Sequence, residues 1–355
     1  MDSAVAAMLL REQGRRVSAA TLRMWPSDDV RSCCSDDALR RARDCAHRLG
    51  LPFEELDEEE PFRRLVVEPF VQAYLDGETP NPCADCNRFR LADLVERAAA
   101  LGAPRVATGH YARVVWRGGE PFVARARHAR KDQSYMLWRV APQTICHLEF
   151  PLGDLTKEQV RHLAEAADLP VAHQPESQDV CFATAGYRQF LRKRGVASQP
   201  GAVVDRSGRV LGRHDGQWAF TVGQRRGLRL AAPEPLYVLE RRGAANEVVV
   251  GTHQELMVDR FVLRELNDRG LSRGEGLLMQ SRYKSAAAAV SRVRRLGGGR
   301  AEVSLAEPIE APAPGQSAVF YDRDVVVGGG VVDGVARKPE APYHAAEAGN
   351  RLRPV

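Results

Sequence analysis

The sequence predicts two architectures in one chain: an α/β part built on a parallel sheet through about Phe190, then a β-rich part ending in a small antiparallel barrel. Helical apolar periodicity alternates with short apolar strands before Phe190. Glycine-rich turns separate brief β-prone runs after it. At 355 residues the chain exceeds the ~150 typical of one domain, so two or three domains are expected.

Taken in order, Val5, Met8 and Leu9 give an apolar helix face starting at Asp2, and Gly14 ends it. Ser35 reads as an N-cap, with Asp36 and Asp37 in the first turn, Leu39, Ala42, Ala46 and Leu49 inward, and Gly50 as the stop. A helix over Asn87 to Leu101 turns Leu91, Leu94, Val95 and Ala98 inward and closes at Gly102. Arg105 to Thr108 is a short buried strand running into Gly109 and His110. Thr156 and Gln159 form a capping box ahead of Val160, Leu163 and Ala167. Gly201, Gly208, Gly212, Gly216, Gly223 and Gly227 then punctuate strands such as Ala202–Val204 and Tyr237–Leu239. Apolar–polar alternation from about Val258 to Val332 predicts the barrel, and the last twenty residues read as a frayed tail.

No apolar run approaches the ~18 residues of a membrane span, and the first ten residues lack the basic region and cleavage site of a secretory signal. A soluble cytoplasmic protein is expected. Net charge is +5, from 51 basic and 46 acidic residues, but its distribution is uneven. Six of seven residues from Glu54 to Glu60 are acidic. Ten Arg or Lys face two Asp between Arg188 and Arg229, and six face none between Arg282 and Arg300. Such segregation suits a polyanion, although an arginine-rich solvated face gives the same count.

The seven cysteines include a vicinal pair, Cys33 and Cys34, and their odd number does not fit a secreted disulfide framework. Cys45 lies on an apolar helix face and reads as packing. The densest motif is Thr79-Pro-Asn-Pro-Cys-Ala-Asp-Cys-Asn87. Its prolines fix an extended approach and Asn87 can cap the following helix, placing Cys86 where the helix dipole favours thiolate. A zinc site would need a second Cys/His pair at similar spacing, and the sequence has none. Gly109-His110 falls at a strand's carboxyl end, where doubly wound sheets keep ligands. Asp2-Ser3 opens a helix whose N-terminus suits a pyrophosphate, with a capping role as the simpler reading. Phe220 to Gly227 reads as a basic turn able to meet phosphate.

Taken together and in this order, MDSAVAAMLL, TPNPCADCN, ATGHYAR, KDQSYML, PLGDLTKEQVR, SQDVCF, GRHDGQWAFTVGQRRGL, SRY and APGQSAVFYD followed by GGG resemble the tRNA-specific 2-thiouridylases. The resemblance runs from Met1 to about Gly330. It implies a truncated ATP-pyrophosphatase-like (adenine nucleotide alpha hydrolase-like) domain over residues 1–190. A central tRNA-contacting domain over 191–256, a C-terminal β-barrel over 257–335 and a flexible tail over 336–355 would follow. It also implies the reaction: ATP with Mg2+ adenylates the O2 of a wobble uridine, and sulfur from a protein persulfide replaces it at C2. By position, Cys86 matches the nucleophile and Cys181 the persulfide carrier, the two forming a disulfide as product leaves. Asn81, Pro82 and Cys83 match residues beside the target base. Asp2, Ser3, Met24 and Gly109 match ATP contacts. His110, Lys131, Asp132, Gln133, Arg282, Tyr283 and Gln316 match tRNA contacts. The expected partners are tRNAs of the Lys, Glu and Gln types and a cysteine desulfurase or sulfur-relay donor, with no membrane.

Two departures stand out. Family members carry a strand and Ser-Gly-Gly before this Asp-Ser, so the true start is expected upstream of Met1. Cys83 stands where many relatives carry an acidic residue; with Cys86 and Cys181 it supplies three thiolates, the number that can hold a [4Fe-4S] cluster with one open iron. The cluster-free persulfide route is the first expectation. A tRNA-binding protein with impaired ATP use and a different ATP-dependent synthetase are the alternatives. The sequence gives no role to Cys33, Cys34 or the tail.

Overall fold

The computed structural model describes residues 1–26, 35–172, 180–271 and 276–335. Cys33, Cys34, residues 177–179 of the Cys181 motif and the tail lie outside them.

The expected parallel sheet is present as two separate strand pairs. Ala19–Arg23 runs parallel to Phe53–Asp57, and Val106–Ala107 parallel to Leu148–Glu149. Helix Asp2–Glu12 packs on helix Lys157–Ala166, burying Val5, Met8, Val160 and Ala164 with Cys45 of helix Asp36–Arg48 and Leu49 that caps it. Both expected caps form. Ser35 Oγ accepts from the Ala38 amide at 3.2 Å, and Thr156 and Gln159 exchange bonds at 3.1 and 2.8 Å.

One boundary moves with consequence. The helix expected from Asn87 starts five residues earlier and spans Pro82–Ala100. Pro82 occupies its first turn, where proline's fixed φ suits a helix and its missing N–H has no intrahelical partner to lose. Asn87 is therefore interior rather than a cap; it is buried and donates to the Met136 carbonyl at 3.2 Å. Asn81 takes the N-cap position, and Cys83 and Cys86 ride the first two helical turns. Upstream, Glu59–Phe62 and Glu68–Leu75 are joined through a π-helical stretch, Arg63–Val67, which turns Val66 and Val67 into the core.

The middle of the chain forms a four-stranded sheet. Glu247–Gly251 pairs parallel with Gly201–Val204, while Val210–His214 and Tyr237–Arg242 flank them antiparallel. Farther on, six antiparallel strands close into a barrel because Met257–Asp268 pairs with both Arg300–Glu310 and Val325–Val335. A hairpin from the first part of the chain, Ala112–Arg117 with Glu120–Arg125, extends this sheet through Ala124 opposite Val325. The Arg125 amide donates to the Asp324 carbonyl at 2.7 Å, and Arg117 pairs with Asp322 at 2.7 Å. Tyr135, Leu137 and Trp138 share one apolar core with Val319, Tyr321 and Val331, so the first part and the barrel are packed through common interior.

Candidate functional site

Cys86 and Cys181, remote in sequence, border the same apolar cluster, built on Met24, Phe62, Phe70, Phe182, Phe190 and Trp218. Its rings meet edge to face: Phe182 lies 5.1 Å from both Phe70 and Phe190. Cys86 Sγ is 4.0 Å from Met24 Sδ, and both cysteines are half-buried. An apolar, partly open surround of this kind shelters a sulfur atom from water while leaving it reachable.

Cys83 is not part of this cluster. No disulfide joins Cys86 to Cys181 among the described residues, so the pairing implied by the resemblance is not seen in this structure. Among the described residues no three Cys, His, Asp or Glu side chains gather as a metal-binding group. Cys83, Cys86 and Cys181 therefore do not fit an iron–sulfur cluster as arranged here.

The segment leading into the cysteine-bearing helix is gripped from two sides. From the barrel, Pro314 O accepts from the Thr79 amide at 2.7 Å and Gln316 Nε2 donates to Thr79 O at 2.8 Å. Asn81 Nδ2 donates to Ser317 Oγ at 3.0 Å, and Arg264 pairs with Glu78 at 2.7 Å. From the middle sheet, Arg241 donates to the Glu78 carbonyl and, at 3.2 Å, to Thr79 Oγ1. Gly315 has φ +86°, and a Cβ there would stand 2.9 Å from that of Glu78, so close approach requires glycine.

The nucleotide candidates split. Gly109 abuts the start of the first helix so closely that a Cβ would lie 2.5 Å from the Ser3 nitrogen. Ser3 is exposed there, beside the amides that open an eleven-residue helix, and these groups fit a phosphate. The Asp2 carboxylate is taken by Lys157 Nζ at 2.7 and 2.9 Å and by the Tyr111 hydroxyl at 3.3 Å. Met24 sits beside Cys86.

The seven expected tRNA contacts divide similarly. Asp132 is only 7% exposed, and its oxygens accept from Arg125, the Ala126 amide and Ser134 at 2.9–3.2 Å. Gln133 accepts from the Tyr111 amide at 2.9 Å, and Gln316 is committed to Thr79. His110 is held between Thr108 Oγ1 at 2.7 Å and Arg90 at 3.3 Å. Desolvation, aided by the Arg90 charge, lowers its pKa to about 3 and keeps the ring neutral. Lys131 closes a short turn and is half-buried. Arg282 pairs with Glu310 at 3.6 Å and borders Gly223 of the middle segment, while Tyr283 is 37% exposed and faces Tyr135 across 6.3 Å.

The tRNA methyl transferase HUP domain matches residues 1–185, the tRNA methyl transferase PRC-barrel domain 188–252 and the aminomethyltransferase beta-barrel domain 262–332. A tRNA-specific 2-thiouridylase MnmA of Syntrophotalea carbinolica is 43% identical over 93% of this chain and 95% of its own length. The chain belongs to the tRNA-specific 2-thiouridylase family. A second such relative, from Moorella thermoacetica, is 40% identical over 95% of this chain and 98% of its own. The bifunctional protein NifU/MnmA of Rubrobacter xylanophilus is 49% identical over 94% of this chain and 68% of its own length.

Sequence reasoning missed three side chains that organise this 2-thiouridylase. Lys157 was visible only as part of a helix start, yet it holds Asp2. Arg139 bridges Asp85, between the two motif cysteines, to Glu265 of the barrel. Arg241 reaches the cysteine segment from another part of the chain, and nothing local in its strand signals that.

Proposed function

We propose that this family member transfers sulfur to a wobble uridine through Cys181 and Cys86, with ATP activating the uridine. Membership makes it a tRNA-uridine 2-sulfurtransferase that uses ATP. The two-cysteine route rests on one observation, the placement of both thiols on a single apolar cluster. In this route uridine O2 attacks the α-phosphate of ATP and pyrophosphate leaves. The terminal sulfur of a Cys181 persulfide attacks C2, and AMP departs with the former O2. Cys86 thiolate then attacks Cys181 Sγ, breaking its bond to the transferred sulfur, whose electron pair completes the thiocarbonyl. Two thiols are oxidised to a disulfide and the sulfane sulfur is reduced, so a thiol reductant resets the enzyme once per turnover.

ATP, as its Mg2+ complex, is assigned to the face formed by Ser3, Gly109 and the first helix, with Asp2 orienting Lys157 there. Asn81, Pro82 and Cys83 are assigned to the base. Lys131, Arg282 and Tyr283 are assigned to the tRNA, of the Lys, Glu and Gln types, in the cytoplasm. The sulfur enters from a cysteine desulfurase or relay protein. No helix among the described residues is long and apolar enough to cross a membrane.

The test is Cys86→Ala and Cys181→Ala, each assayed for 2-thiouridine by mass spectrometry and for tRNA affinity. Both variants lose thiolation with tRNA affinity within about twofold of the parent. With ATP and tRNA present, the Cys86 variant accumulates a covalent adduct in which Cys181 is joined to uridine C2 through the transferred sulfur. Full thiolation by either variant, or dependence of activity on stoichiometric iron after anaerobic purification, overturns the route.

A further inference from the structure

Arg241 is an uncommon residue to find where it is. It is 6% exposed, and among the described residues no carboxylate pairs with it. Its Nε has no hydrogen-bond partner, and its guanidinium lies 5.3 Å from the ring of Tyr74, which stacks on Tyr187 at 4.7 Å. Burial lowers its pKa to about 10. Placing a cation here is costly, and an apolar side chain of similar volume would ordinarily pack as well or better. Stability alone therefore does not account for arginine.

Its donors reach the Glu78–Thr79 segment and Gln217. Nη2 reaches the Glu78 carbonyl and the Thr79 hydroxyl, and Nη1 reaches Gln217 Oε1 at 3.5 Å. Gln217 in turn donates to the Tyr74 and Leu75 carbonyls at 3.0 and 2.9 Å. The contact is tight on both sides. A Cβ on Gly77 would stand 2.7 Å from the Arg241 carbonyl oxygen, and one on Gly243 would stand 2.5 Å from the Leu75 oxygen. From Thr79 the chain runs through Pro80 and Asn81 directly into the helix that bears Cys83 and Cys86, leaving little slack between clamp and thiol.

We propose that Arg241 is a positioning residue for sulfur transfer: by fixing Glu78 O and Thr79 Oγ1 from the middle domain, it sets the orientation of the helix that presents Cys86. This rests on Cys86 as the reacting thiol. Misplacement of a reacting group by about 1 Å can cost ~100-fold in rate, so a remote clamp can act on turnover without touching tRNA.

The test compares Arg241→Met, Arg241→Lys and Thr79→Val in the full chain. Arg241→Met is expected to keep its melting temperature within a few degrees and tRNA KM within about twofold, while kcat falls ~10- to 100-fold. Alkylation of Cys86 by iodoacetamide, followed by peptide mass spectrometry, changes rate in parallel. Arg241→Lys, which restores one donor, recovers part of kcat. Should Arg241→Met fail to fold, Thr79→Val removes one acceptor with the arginine in place and is expected to lower kcat ~2- to 5-fold. Unchanged kcat and unchanged Cys86 alkylation in the folded variants overturn the proposal, as does a loss confined to KM. Thiolation surviving Cys86→Ala instead removes the underlying reading, while the alkylation rates still report whether the clamp holds the helix.

Discussion

Between Arg188 and Arg229 the chain carries ten basic residues, and eight of them have no carboxylate partner among the described residues. Between Arg282 and Arg300 it carries six, of which Arg282, Arg294, Arg295 and Arg300 pair with Glu310, Glu302, Asp268 and Asp333. Three of the unpaired group rest over aromatic rings: Arg188 over Tyr187, Arg192 over Trp218 and Arg194 over Trp25, at 5.7–5.9 Å. A ring orients a guanidinium but cancels none of its charge, whereas a carboxylate 3 Å away removes most of its field at a phosphate. Arg188, Arg192 and Lys193 also flank the cluster bordered by Cys86 and Cys181, since Tyr187 and Phe190 of the same helix belong to it. Two arginine-rich runs thus differ in usable charge.

Replacing Arg188, Arg225 and Arg226 together by Ala should give the largest effect. Each released phosphate contact contributes about 0.9 to the salt slope, so the slope of log affinity against log salt should become shallower by about 2–3. The corresponding barrel variant, Arg292, Arg294 and Arg295 to Ala, should change it by less than about one; equal slopes in the two variants would break the comparison. Arg282, paired with Glu310 yet bordering the middle segment at Gly223, is expected between them, its Ala variant shallowing the slope by up to about one unit.

A half-buried neutral histidine sharpens the contrast from the other side. His110 titrates near 3 in the folded protein and near 6.5 unfolded, so the unfolded chain binds the extra proton first. Its contribution to stability is complete above pH 6.5 and is lost progressively as pH falls toward 3. His110→Asn should therefore flatten the acid side of the stability curve measured by urea unfolding, with no change at pH 8 in that slope. The smallest effect belongs to Arg294→Ala in the barrel, an exposed arginine paired with half-buried Glu302: a stability change of at most ~1 kcal/mol, read by the same unfolding curves.

Periodicity and capping chemistry are local, and they made the helices at Asp2, Asp36 and Lys157 and the closing barrel legible in advance. The start of the cysteine-bearing helix was misread because Asn87 is a good cap and Pro82 is a good first-turn residue, and only the backbone decides between them. The two sulfur-bearing residues came from motif order, but their common apolar setting depends on aromatic residues scattered from Trp25 to Trp218. Asp132 came from the resemblance alone, and the arginine and serine that bind its carboxylate were not legible in the polar run around it. The two basic runs read alike in sequence because the acids that neutralise the barrel run, Asp268, Glu302, Glu310 and Asp333, are supplied mostly by other strands.

The hairpin at Ala112–Arg125 carries a consequence for how the molecule is made. Its partner strand, Val325–Val335, leaves the ribosome some two hundred residues later. Throughout that interval the hairpin presents an unfilled seam, and Trp138 and Tyr135 wait for the interior that Val319 and Tyr321 will provide. The nucleotide-handling part should thus reach its final solidity only after the barrel is synthesised, and a nascent chain arrested before Val325 should be more readily cut by protease around Arg125 than the finished protein.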